Sequence, residues 1–297
     1  MRRYRRYWFS LLLLAGIGVL ASRLASPDVM LADLVFEPLY ILPLVGFHAC
    51  YVLAASCAWR LALRGSCGLQ VTLMEAVAHV AALNLGKYVP GKVWGMFARG
   101  MALGERCGPS EVASATLQEQ IALLHAGVVL GAVAAAIVIS PAFWLVALGL
   151  ALLVALTPLW LGLALRLVER MFKRMDGLLS RIADPRSYAK VFLAHVCVWL
   201  FLSLSLTVIE PAVLGVEPDL ARTCWLILAN VVGITVGFFA VFAPGGIGVR
   251  EAVTTALLLP AMPVEHAVIL TVLFRFWLMA TELLMSIFLL HPRITRI

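Results

Sequence analysis

Several uninterrupted apolar runs of about 20 residues constrain this chain before any motif does, because that length spans the hydrocarbon core of a bilayer. The runs are continuous Leu, Ala, Val and Ile rather than short alternating segments, so they read as helices and not as strands of a membrane barrel. With 297 residues, 63% hydrophobic and 13% charged, the chain predicts an all-α polytopic membrane protein forming a single membrane domain. Its start, MRRYRRYWFSLLLLAGIGVLAS, places a basic stretch before an apolar one, as a cleavable leader does. Membrane sequence continues downstream, so this stretch is read as a first transmembrane helix that is retained.

Composition removes several function classes. The six cysteines (Cys50, Cys57, Cys67, Cys107, Cys197, Cys224) show no CxxC spacing and read as buried free thiols, with neither a disulfide framework nor a metal site expected. The six histidines are scattered, and no HExxH or paired-carboxylate motif occurs. No catalytic residue, metal ligand or cofactor is assigned, and the chain is not read as an enzyme. A net charge of +7 sits in short loops between spans, which points to orientation and attraction to anionic lipid rather than to nucleic acid. His48, His125 and His195 read as satisfied interior or interfacial residues.

Six full spans are expected: Trp8–Ala21, Leu39–Trp59, Val112–Ile139, Phe143–Leu167, Tyr188–Leu214 and Val264–Leu290. Two further segments, Val71–Leu103 and Thr223–Pro260, each read as an apolar helix, a Pro-Gly break and a shorter helix. The breaks are YVPGKVWG at Tyr88–Gly95 and FAPGGIGVRE at Phe242–Glu251. A constant offset of 154 relates Pro90 to Pro244, Gly91 to Gly245, Pro109 to Pro263 and Glu111 to Glu265. The same shift lays Leu39–Trp59 onto Tyr188–Leu214, so residues 35–139 and 189–292 form a repeat. The span at 143–167 links the halves, and 166–187 reads as an amphipathic cytoplasmic segment or a solvated linker helix.

Cytoplasmic loops collect Lys and Arg, which discriminates between topologies. If both broken segments are re-entrant, 17 basic residues fall inside and only Arg23 and Arg222 outside; if both cross fully, the split is 9 to 10. Re-entrance then places three crossings between equivalent points, making the repeats inverted with both termini cytoplasmic, the arrangement of many secondary transporters. Letting the second segment alone cross still leaves 15 inside, so there the duplication carries the argument.

Lys87, Lys92, Arg250 and Arg275 fall on neither face. A charge at bilayer depth is costly unless paired or hydrated, so these residues are expected to line a cavity, with Glu119, Glu251 and Glu282, and Glu75 and His79, as candidate partners. Pro90 and Gly91, and the glycines Gly245, Gly246 and Gly248, interrupt helical pairing, and the helix restarting after each break aims amide N–H groups at the same space. Together with Lys87, Lys92 and Arg250 they describe a site for an anion such as a phosphate. Simpler readings stand beside this one. Lys87 and Lys92 can snorkel to the interface, and Arg250 with Glu251, or Arg275 with Glu282, can be structural ion pairs. Leu117–Gln120 can be polar glue, and Gly127–Gly131 and Gly233–Gly237 are helix-packing faces.

The motifs NLGKYVPGKVWG followed by FARG, and APGGIGVREA with Arg275 downstream, resemble the signatures of the lysylphosphatidylglycerol synthase transmembrane (flippase-like) family, over about Leu39 to Leu290. The resemblance implies a membrane domain that moves aminoacylated phosphatidylglycerol between leaflets while a separate soluble domain makes it. The chain ends at LLHPRITRI, so a stand-alone transport domain without a synthase is expected. Met96 stands where the family often has an acid, and KYVPGKVW is similar to stand-alone members associated with envelope polysaccharide pathways. The expected function is therefore movement of an anionic phospholipid or a polyprenyl-phosphate-linked glycan across the cytoplasmic membrane. Envelope-synthesis enzymes and further copies of the chain are candidate partners. The alternatives are a non-transporting scaffold or regulatory subunit, and a polyprenyl-lipid transferase for which Glu251 is the only close acid.

Overall fold

The computed structural model describes residues 35–89, 94–139, 184–217, 219–240 and 243–287, with Leu145, Gly149 and Leu152 as isolated positions. The expected first span, the linking span, most of the basic 166–187 segment and Pro90, Gly91 and Lys92 lie outside the described residues. Every regular element within them is helical: α1 (Ile41–Cys67), α2 (Leu73–Gly86), α3 (Trp94–Leu103), α4 (Pro109–Val138), α5 (Pro185–Leu214), α6 (Leu220–Phe239), α7 (Val249–Leu258) and α8 (Val264–Met285).

Local chemistry sets these boundaries. Thr72 and Glu75 form a reciprocal capping box at the start of α2, while Asp184 and Asp219 accept the Ser187 and Arg222 amides to open α5 and α6. Pro109 occupies the first turn of α4, where its missing N–H costs nothing, and Pro263 stands at the N-cap of α8. Gly68 at φ 70° and Gly215 at φ 62° end α1 and α5 in the left-handed conformation. Each half thus runs in one order: a long helix, an arm, a break, a ten-residue helix and a second long helix.

Five of these helices are long and apolar enough to cross a membrane. Four match expected spans. The fifth is α6, whose 20 residues reach about 30 Å, whereas α2 with 14 residues is too short to cross alone. The two broken segments are therefore unequal, a difference the sequence repeat does not reveal.

The largest interface joins α1 to α5. Ala58, Ala62, Ala115, Ala122 and Ala126 are fully buried, letting helix backbones approach closely as they do where lipid supplies no hydrophobic drive. Trp59 and Trp199 fill the space between, and the Trp199 indole donates to the Leu123 carbonyl at 2.7 Å. The outer surface is apolar: Leu39, Phe276, Leu283 and Ile287 are each more than 60% exposed, as residues facing acyl chains are.

One expectation is overturned. Cys67, at the end of α1, and Cys107, in the turn between α3 and α4, are disulfide-bonded, not free thiols. Their separation of 40 residues carries no motif; convergence of the two helix ends brings them together. Cys50, Cys57, Cys197 and Cys224 are free.

Candidate functional site

The second Pro-Gly break meets the C-terminal end of α2, just before the first. The Gly245 amide donates to the Lys87 carbonyl at 2.9 Å, joining the second break to that end. Gly245 has φ 60°, and a Cβ there would lie 2.8 Å from the Tyr88 ring, so conformation and contact both require glycine. Gly246, at φ 72°, lies against the Gly237 backbone, where a Cβ would fall 3.0 Å away.

Beside this junction is a cavity of about 210 Å³, walled by α1 to α8 with apolar side chains and a minority of charged ones. Its charges are organised into pairs. Lys87 bonds Glu282, which also accepts the Tyr88 hydroxyl at 2.7 Å. Arg275 donates to the Gly245 carbonyl at 3.1 Å and faces Glu251 at 3.5 Å, an ion pair without a hydrogen bond. Arg99 bonds Glu119, and its Nε donates to the His79 carbonyl at 2.9 Å. Its guanidinium also lies 4.0 Å from the centre of the Trp59 ring, a stacked arrangement suited to arginine.

Arg250 is the exception. It lines the cavity, is 8% exposed and lies 5.4 Å over the Phe274 ring, and no carboxylate or other acceptor pairs with its side chain among the described residues. Its neighbour Glu251 is occupied by Arg275 and by the Gly248 amide at 2.6 Å. The anticipated Arg250–Glu251 pair does not form.

Several sequence expectations change here. Glu119 serves Arg99, not Lys87, and Glu282 serves Lys87, not Arg275 on its own helix. Glu75 lies apart from the cavity with Arg106 at 2.9 Å and Thr72, while His79 stacks on Trp59. The amides of Gly245, Gly246, Ile247 and Gly248 are all bonded within the protein, so they offer no free donors to an anion. The second helix restarts at Val249, after Gly248, not at Gly245. Pro90, Gly91 and Lys92 lie outside the described residues.

The glycine pairs are packing faces, as expected: a Cβ on Gly127 would meet Trp199 at 3.0 Å, on Gly131 Val231 at 3.3 Å, and on Gly237 the Arg250 Cβ at 3.0 Å. Arg99 was missed, being counted among cytoplasmic charges although it is 0% exposed. The hint lay in FARG, a lone arginine at the centre of a ten-residue helix whose apolar residues Trp94, Phe97 and Met101 face outward. Tyr88 was likewise not singled out, while His195, read as a satisfied interior residue, is buried with its Nδ1 2.9 Å from the Val191 carbonyl.

An all-helical, lipid-facing bundle with a mainly apolar cavity that carries paired charges, beside the contact of α2 with the second break, defines a polytopic membrane protein built around a central site. The family model described as "Lysylphosphatidylglycerol synthase TM region" matches residues 7–284, and the chain belongs to that family. No curated protein matches it.

Proposed function

We propose that the protein is a lipid transporter that moves an anionic phospholipid or a polyprenyl-phosphate-linked glycan between leaflets of the cytoplasmic membrane, leaving its substrate chemically unchanged. The observation that carries this reading is Arg250, a buried guanidinium on a cavity wall where every other described cation has a carboxylate partner. An uncompensated charge in such surroundings is costly, and an anionic headgroup relieves that cost. The apolar part of the lining suits the first methylenes of the lipid, whose tails remain outside among acyl chains. The broken segments act as re-entrant arms of an inverted repeat, with α3 and α7 as the mobile short pieces and the Lys87–Gly245 contact as the junction between them.

Membership of the family supports lipid handling, and the short α2 supports re-entrance of the first segment. The test is reconstitution in vesicles with labelled phosphatidylglycerol, aminoacyl-phosphatidylglycerol or undecaprenyl-phosphate sugars in one leaflet. The reading requires accelerated exchange of at least one of them, and loss of that acceleration in Arg250→Ala protein that still inserts. If none is accelerated, a scaffold or regulatory role replaces transport.

A further inference from the structure

At the wall of the cavity formed by α3, α4 and α5 stands a second cluster, distinct from Arg250: Arg99, Glu119 and His195. All three are nearly or fully buried, at 0%, 3% and 3% exposed. His195 Nδ1 lies 2.9 Å from the Val191 carbonyl one turn back in α5. A carbonyl only accepts, so Nδ1 carries the hydrogen, and the neutral ring keeps its lone pair on Nε2. No hydrogen bond occupies Nε2 among the described residues, and the residue lines the cavity. A proton can bind there without disturbing the existing bond.

Glu119 lines the same cavity as His195, and its carboxylate already neutralises Arg99. A protonated His195 therefore competes with Arg99 for one carboxylate. Arg99 belongs to α3, the short helix beyond the first break, and Glu119 is the ion pair that ties α3 to α4. Weakening that tie releases α3 to move, which links protonation to the position of a broken arm.

The charged surroundings are consistent with a proton site that is not permanently occupied. On the near side stand His79 from α2 and Arg99 from α3, with His125 from α4 bonded to Tyr188 of α5. Across the cavity are Tyr51 of α1, Lys87, Arg250 of α7, and Arg275 and Glu282 of α8. The cations outnumber the acids, so one more positive charge is tolerated only while the cavity also holds an anion.

We propose that this cluster couples transport to protons: His195 takes one from the cavity as an anionic headgroup binds at Arg250, and the two cross together. The inference rests on the transport reading above. The experiment is the steady-state leaflet ratio of fluorescent phosphatidylglycerol in proteoliposomes under an imposed pH difference, with a pH-sensitive dye recording proton entry. Coupling of one proton per lipid shifts that ratio by about tenfold per pH unit, and His195→Gln returns it to the value without a gradient whatever its absolute rate. Exchange that proceeds with a ratio indifferent to the gradient in the wild-type protein overturns the coupling and leaves transport standing. Absence of exchange at any pH overturns both.

Discussion

Arg250 and Arg99 are both buried arginines, and their surroundings give them opposite roles. Arg250 lacks a carboxylate partner among the described residues, so Arg250→Ala is expected to reduce leaflet exchange at least tenfold, an effect of about 1.4 kcal/mol or more, with little loss of fold. Arg250→Lys keeps the charge but loses the planar fork, and intermediate rates measured in the same vesicles are its signature. Arg99 has a buried carboxylate partner, so Arg99→Met strands Glu119 and is expected to destabilise the protein by about 3–5 kcal/mol. The double variant Arg99→Met/Glu119→Met recovers most of that loss in denaturant-unfolding measurements. A double variant as unstable as the single one sinks the pairing argument. The sequence singled out Lys87, Arg250 and Arg275, which line the cavity, but neither Arg99 nor who partnered whom. Arg275 and Glu282 share a face of α8, yet each reaches toward a different break, and only the contact of the second break with the end of α2 decides it.

At the scale of elements, each short helix is tied to the long helix that follows it by one ion pair. The polarity is reversed: in the first half the short helix supplies the cation, Arg99, and in the second half the acid, Glu251. No fixed-offset comparison of the halves finds this, because Arg99 and Glu119 have no charged counterparts 154 residues on. The long helices α1, α4, α5 and α8 were legible as apolar runs, and their ends follow from caps and prolines. Less legible was the closeness of α6 to α7, which depends on two glycines. A Cβ at Gly237 meets the Arg250 Cβ at 3.0 Å, an atom no rotamer change can move. Gly237→Ala is therefore expected to cost about 1–3 kcal/mol and to slow exchange by displacing Arg250. Gly46→Ala in α1 meets nothing within 4 Å and, through helix propensity, is expected to be neutral or to stabilise by up to about 1 kcal/mol. Thermal melts in detergent compare the two; equal losses would contradict the contact argument.

For the whole molecule, orientation is the property on which the proposed transport depends, and the basic-residue count bears on it. Burial of Arg99 removes one residue from the expected cytoplasmic count, leaving 16 against 2 by sequence. The inverted repeat is tested separately in a cysteine-free background by Ser110→Cys and Val264→Cys, exposed positions at the same offset of 154. An impermeant maleimide applied to cells is expected to label position 264 and spare position 110 until the membrane is opened. Labelling of both from one side removes the inversion, and with it the opposed arms on which movement across the bilayer is argued.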